Sequence, residues 1–142
     1  MFREYFNTGG EEYEKDFYMY YPVLENNIDR KSQSDAANLL INFVQTAFIY
    51  QIEEEQFGYE RSLWGDETIY YPASDCEDRS ILFSILVREL LSLDVVLLHY
   101  PGHLVSAVRF SEDIEGDYLW SETTLNRVHL TLTKIGRWFK LL

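Results

Sequence analysis

The stretch from Ser74 to Ser92 constrains the fold of this chain most strongly. Its apolar residues recur with helical spacing, and from Ile81 to Leu91 they leave only a narrow polar stripe, a pattern typical of a helix buried on nearly every side. Asp75 is a candidate N-cap, so we predict a central core helix that begins at Cys76. The polar stripe consists of Ser80, Ser84 and Arg88. The residues expected to be buried are Ile81, Leu82, Ile85, Leu86 and Leu90.

Cys76 is the only cysteine of the chain, and this pattern puts it at a helix N-terminus. The helix dipole and the unpaired backbone N–H groups there lower a thiol pKa and can hold a developing negative oxygen. Three neighbouring acids, Asp75, Glu77 and Asp78, stabilise the helix start but oppose a thiolate, so a working thiol requires a cationic partner. The alternative is a small buried core cysteine, for which three acids are unusual neighbours.

Composition indicates one globular domain without nucleic-acid or membrane partners. The 142 residues are 46% hydrophobic and 16% aromatic, enough for a sizeable core. The net charge of −12 argues against phosphate backbones and anionic membrane surfaces. No apolar run approaches the roughly 18 residues of a membrane span, and the first ten residues lack a secretion signal. The sequence indicates neither a compartment nor an oligomeric state.

The segments before the cysteine helix are less specific. Residues 17–22 are aromatic and end at a proline, which predicts a short strand or extended segment. Ser34 and Asp35 can cap an amphipathic helix that runs to about Tyr50. The run Glu53 to Glu55 is interpreted as a solvated helix end or loop, and not as a metal site, because it lacks ligand spacing and histidine. We therefore expect no metal.

An aromatic loop between Gly58 and Gly65 precedes the cysteine helix. Its rings are candidates for one wall of a cleft, but large aromatic residues more often serve core packing. For Trp64 we expect core packing.

After the helix, residues 94–100 and 103–110 predict two strands, and Pro101-Gly102 between them predicts an antiparallel hairpin. His103 lies at the start of the second strand, where an imidazole can reach a cleft. His99 is interior to a strand, and His129 lies in an alternating segment that predicts one more strand, followed by a short end at residues 136–142. His103 is therefore the best-placed base, and a hydrogen-bonded sheet or surface histidine is the alternative.

Three sequence features together resemble the transglutaminase-like superfamily of cysteine enzymes, most closely its bacterial domains of unassigned substrate. They are the run from Asp75 to Arg79 with the following helix, the strand start at residues 93–96, and Gly102-His103. The resemblance covers roughly residues 34–118. It implies an α+β, papain-like core in which helices pack on an antiparallel sheet and the active cysteine begins a buried central helix. The chain is then a single domain over residues 1–142, complete or part of a longer protein.

The chemistry implied by the resemblance is acyl transfer on peptide or amide bonds. The Cys76 thiolate attacks a carbonyl, His103 shuttles the proton, and water or an amine resolves the acyl-enzyme. This describes a cysteine peptidase or an acyltransferase with a peptide or protein substrate and no cofactor. The alternative is a catalytically impaired domain that serves as a binding or structural module.

The chain departs from the family pattern where the family carries an aspartate, usually within D-P-T, on the strand after the histidine strand. Asp117, Glu122 and Asn126 lie near that place without the surrounding motif. From residue 123 onward the chain has four basic residues and no acid. We assign no third catalytic residue, and we expect weak or absent turnover.

Overall fold

The computed structural model describes residues 11–112, 114, 118–123 and 126–132, with side chains for 18–112 and 114. In this part of the chain the fold is α+β, and no helix is both long and apolar enough to cross a bilayer. The helices are α1 (Glu11–Ile28), α2 (Gln33–Thr46), α3 (Glu53–Phe57), α4 (Gly65–Tyr70) and α5 (Cys76–Leu91). The strands are β1 (Ile49–Tyr50), β2 (Ala73–Ser74), β3 (Asp94–Tyr100), β4 (His103–Arg109), β5 (Tyr118–Thr123) and β6 (Asn126–Leu132).

Helix α5 begins at Cys76 as predicted, because Asp75 caps it by accepting the backbone N–H of Asp78 at 3.0 Å. Leu82 and Leu86 are fully buried, as expected. Three other predicted core residues are only half-buried: Ile81, Ile85 and Leu90. The sheet and the other helices cover these parts of the helix incompletely. Phe83 and Val87 are also fully buried.

Two serines of the polar stripe of α5 face the sheet and not the solvent. Ser84 Oγ lies 3.1 Å from Ser106 Oγ, and Ser106 donates to the Ser80 carbonyl at 3.1 Å. Ser80 Oγ lies 2.7 Å from the Leu104 carbonyl and 2.8 Å from that of Cys76. These small side chains let the helix approach β4 closely, and their hydroxyls are hydrogen-bonded where they are buried.

The predicted hairpin is confirmed: β3 and β4 pair antiparallel from Tyr100–His103 at the turn to Asp94–Arg109 at the open end. Gly102 adopts φ +77°, the left-handed conformation that a turn with Pro101 before it requires. The strand order is β3-β4-β6-β5, and β6 is the later strand that alternation predicted. The predicted end at residues 136–142 lies outside the described residues.

Helix α2 is shorter than predicted. Ser32 caps it in place of Ser34 and Asp35, and it ends at Thr46. Residues 49–50 instead form β1, which pairs in parallel with β2. At this helix end the Gln45 and Phe48 carbonyls accept hydrogen bonds from the Arg79 guanidinium. The short β1–β2 ribbon leads directly into α5.

The extended segment predicted over residues 17–22 is wrong, because these residues lie in helix α1 with Pro22 inside it. A proline inside a helix costs about 3 kcal/mol. Leu24 and Ile28 are buried in the main core and Tyr21 packs against it, at helical spacing. Burial of this stripe offsets the cost of the proline.

Candidate active site

Cys76 lies where the first turn of α5 meets the start of β4. Its side chain is half-buried, and the backbone N–H groups of Leu104, Cys76 and Glu77 donate towards the sulfur. The bond between Ser80 and the Leu104 carbonyl fixes the strand against the helix at this point. The thiol therefore sits among aligned donors, an arrangement that suits an anionic sulfur or an anionic oxygen beside it.

Burial, followed by the charge of Asp75, raises the pKa of the Cys76 thiol, although the three backbone N–H groups oppose the rise. As expected, the backbone N–H groups at the helix start lower this pKa and Asp75 raises it, but burial makes the net shift upward. Removing the sulfur from water disfavours the thiolate more than the aligned dipoles favour it. Burial thus favours the neutral thiol, so attack on a carbonyl requires a base that takes its proton.

His103 is exposed at the first position of β4, directly before the residue whose backbone contacts the thiol. Ser106 faces α5. Because side chains along a strand point alternately to the two faces of the sheet, Leu104 also faces α5. His103 and Val105 therefore lie on the opposite face. His99 pairs with Leu104 and shares the α5 side of the sheet. The structure brings the backbone beside His103 to Cys76, and the contact between imidazole and thiol stays a prediction.

The sheet register places Glu122 and Asn126 far from His103. Ala107 of β4 pairs with Leu132 of β6, and the two strands run antiparallel. Along the strands, His103 lies on one side of this pair and Asn126 lies on the other. Roughly 30 Å along the strand direction therefore separates the two residues. Glu122 pairs with residue 127 and lies at the same distant end. Neither can orient the imidazole, and Asp117 lies outside the described residues.

A carboxylate cluster lies beside the thiol. Glu53 was interpreted as part of a solvated run, but it is buried, and its oxygen lies within 4.8 Å of those of Asp75 and Asp78. Burial, and then the hydrogen bond with Glu53, raise the pKa of Asp78 to about 8. Three such oxygens can share a proton or a cation, and the raised pKa of Asp78 favours a proton.

The aromatic loop packs against the start of α5. The Leu63 N–H donates to Asp78 at 2.8 Å, and the Ser62 hydroxyl lies 3.1 Å from a Glu77 oxygen. Core packing of Trp64 is wrong: the side chain is 50% exposed, while its neighbour Leu63 is buried. The loop thus covers one flank of the cysteine helix and presents an indole to solvent.

The other flank carries Tyr50, whose ring is 52% exposed and lies 5.5 Å from the guanidinium of Arg79. No sequence pattern predicted a role in the site for Tyr50 or Glu53, and Arg79 entered only as the end of the run from Asp75. Their positions depend on the β1–β2 pairing and on long-range packing. The one sequence signal was the position of Arg79, one helical turn after the cysteine.

Comparison of the chain with protein-family models, curated proteins and solved structures gives no match. Functional inference therefore depends on the chemistry of the residues around Cys76.

Proposed function

We propose that this chain is a transglutaminase-like cysteine peptidase or acyltransferase with a papain-like core, which cleaves or transfers peptide or amide bonds through Cys76. The observation that carries the proposal is the meeting of the Cys76 thiol with the first backbone N–H groups of α5 and that of Leu104. A nucleophile held against such donors can attack a carbonyl and have the resulting oxyanion stabilised nearby.

The proposed reaction begins with the neutral thiol. His103, acting as general base, takes the thiol proton as the sulfur attacks the carbonyl carbon. The Cys76 backbone N–H donates to the oxyanion of the tetrahedral intermediate. The carbon–nitrogen bond breaks, the amine leaves with the proton from the imidazolium, and a thioester remains. Water or a second amine then attacks this thioester, which distinguishes a peptidase from an acyltransferase.

The second candidate is a binding or structural module that keeps this fold. Three observations favour it: the raised pKa of Cys76, the distance of Glu122 and Asn126 from His103, and the place of His103 on the face of β4 opposite to α5. A base without an orienting carboxylate loses its preferred tautomer and the stabilisation of its cation. The module would retain the buried helix and lack measurable turnover.

Mass spectrometry of a peptide mixture incubated with the protein, with and without a primary amine, tests the proposal. Catalysis predicts cleaved or amine-bearing peptides that disappear in Cys76→Ala. In His103→Gln we expect a decrease of about 10² to 10⁴, the usual contribution of a general base. His99→Gln removes the competing imidazole, which lies on the side of the sheet towards α5, and should stay within about twofold of wild type if His103 is the base. Loss in His99→Gln alone would overturn the assignment of the base, and no product from wild type would favour the module.

A further inference from the structure

Strand β3 is an apolar edge of the sheet that lacks the usual protection of edge strands. The strand order is β3-β4-β6-β5, so one side of β3 has no strand neighbour among the described residues. From Asp94 to Tyr100 it pairs with β4 without a bulge, and its sequence contains neither lysine nor proline. Natural edge strands usually carry such devices, because an open row of backbone groups pairs readily with another chain. This edge is therefore a candidate for pairing across an interface.

The register of the hairpin determines which backbone groups of β3 point outward. Tyr100 and His103 flank a two-residue turn and form a hydrogen-bonded pair. Hydrogen-bonded and non-hydrogen-bonded pairs alternate from there along an antiparallel ladder. The N–H and C=O groups of Val95, Leu97 and His99 consequently point away from β4.

Two side-chain contacts agree with this assignment. The Arg88 guanidinium donates to the Val95 carbonyl at 2.6 Å, so that carbonyl is not turned to β4 alone. Leu104, which lies opposite His99, turns its carbonyl to a hydroxyl of α5. Leu97 and His99 together keep two N–H and two C=O groups that bind no other strand in the part of the chain that the structure describes.

We propose that β3 pairs with the same strand of a second copy of this chain, antiparallel about a two-fold axis at Leu98. In this register Leu97 lies opposite the partner's His99, and His99 lies opposite the partner's Leu97, so the open groups of both copies bind each other. The next pair would be Val95 with the partner's Pro101. The ladder ends there, because the Val95 carbonyl is occupied and proline has no N–H.

The side chains on the face away from α5 are complementary in this register. Val96 lies opposite the partner's Tyr100, and Leu98 lies opposite the partner's Leu98. In the single chain Val96 is 39% exposed and Tyr100 is 43% exposed. A β-branched side chain opposite an aromatic one is among the pairs that stabilise a sheet. Pairing therefore removes apolar surface from water.

On the α5 side, a second copy covers a flank of the helix that the single chain leaves open. Ile81 and Ile85 were expected in the core but are half-buried, and with Leu97 they line a groove along β3. The partner's His99 lies opposite Leu97, at the mouth of this groove. The second copy thus buries the two isoleucines that the chain itself covers incompletely.

The charges near β3 permit this contact, although each copy carries a net charge of −12. Residues 95–100 contain no acid, lysine or arginine, so no like charges lie opposite each other in the ladder. Asp94 lies beyond it and is paired with Arg109 at 3.3 Å. In the groove, Arg88 is bound to a carbonyl of β3, which leaves Glu89 to complement the partner's imidazole. Association should strengthen with salt, which screens the remaining repulsion.

Sedimentation velocity of the full chain at increasing concentration tests the proposal. We expect the weight-average mass to rise from 16.9 kDa towards twice that value between about 10 µM and about 1 mM. Val96→Lys should weaken association at least about tenfold, because a lysine on an edge strand opposes pairing. Val23→Lys is the matched control, since it makes the same change at an exposed position of α1, and it should associate like wild type.

A wild type that stays monomeric to about 1 mM would overturn a second copy as the occupant and leave the edge to an extended peptide of another protein. Association of folded Val96→Lys as strong as that of Val23→Lys would overturn the β3 edge as the contact. Circular dichroism establishes which variants fold. None of these measurements involves a substrate, so their outcome is independent of the proposed function.

If Val96→Lys does not fold, amide hydrogen exchange of the wild type decides. The Leu97 and His99 amides should exchange severalfold more slowly at about 1 mM than at about 10 µM, because the second copy protects them. The Leu98 amide points to β4 and should change less. Equal exchange of the Leu97 and His99 amides at the two concentrations would overturn the proposal.

Discussion

A carboxyl oxygen of Glu53 lies within 4.8 Å of one of Asp78 at the start of α5, beside the only thiol of the chain. Asp78 is fully buried, and its carboxyl also accepts the Leu63 N–H at 2.8 Å. This pair joins α3, the aromatic loop and α5 at one point. Burial and the neighbouring Glu53 raise the pKa of Asp78 to about 8, so the charge of this pair beside Cys76 changes with pH.

The first prediction concerns pH. The pKa of Asp78 is raised from 3.8 to about 8, so between these values the native state holds a proton that the unfolded state has lost. The free energy of unfolding should therefore fall as pH rises through this window. Asp78→Asn cannot ionise, and its amide can donate to Glu53, so its stability should fall less over the same range. Urea denaturation at about pH 5 and about pH 8 measures the difference.

The control for this prediction is Glu77→Gln, which changes a half-buried carboxylate outside the cluster. It should retain the pH dependence of wild type. Parallel pH dependence in wild type and Asp78→Asn would contradict the raised pKa of Asp78.

The second prediction concerns the core. Leu86 is fully buried in α5, so Leu86→Ala should cost about 2 to 5 kcal/mol of unfolding free energy. Leu97→Ala removes the same atoms from a side chain that is 42% exposed and should cost clearly less. Denaturant titration measures both. Equal losses of unfolding free energy in the two variants would contradict a central position of α5 in the core. A loss below about 1 kcal/mol for Leu86→Ala would contradict it as well.

The third prediction concerns the contact between helix and sheet. Ser106 is fully buried, and its hydroxyl lies 3.1 Å from both the Ser84 hydroxyl and the Ser80 carbonyl. Ser106→Ala removes both contacts while Ser84 still donates to the Ser80 carbonyl at 2.8 Å, so it should cost about 0.5 to 1.5 kcal/mol. Ser62→Ala, whose hydroxyl is exposed, should be nearly neutral in the same titration. A neutral Ser106→Ala would show that the serine contacts do not stabilise the approach of β4 to α5.

The fourth prediction concerns turnover. Glu122 and Asn126 lie at the wrong end of the sheet to orient His103. Loss of the orienting carboxylate from a related triad costs about 10⁴ in turnover. Peptide hydrolysis should therefore be weak, and Glu122→Gln and Asn126→Ala should not change it. A strong loss of activity in either variant would contradict the register argument.

Sequence patterns predicted the parts of the fold that depend on local information. The cap at Asp75, the helical spacing in α5 and the Pro101-Gly102 turn are each determined by a few neighbouring residues, and all three are confirmed. The α+β class was implied by the resemblance to the transglutaminase-like superfamily, and at that level it is confirmed. Helix α1 was missed because a short aromatic run before a proline resembles a strand. The helix is stabilised by burial of Leu24 and Ile28, which lie beyond that run.

The candidate site was predicted less completely, because its physical properties depend on long-range contacts. Cys76 and its place at a helix start could be predicted locally. The direction of its pKa shift could not, since burial by β4 outweighs the helix dipole. The burial of Glu53 and the anchoring of Arg79 likewise depend on segments more than twenty residues away in the chain.

Intact mass spectrometry of the protein with an activated peptide ester tests the central claim most directly. The account predicts an increase equal to one acyl group, located on Cys76 and absent in Cys76→Ala. Its rate of formation should fall by about 10² to 10⁴ in His103→Gln and stay near wild type in His99→Gln. An adduct that persists in Cys76→Ala, or a rate unchanged in His103→Gln, would contradict a Cys76 nucleophile served by His103.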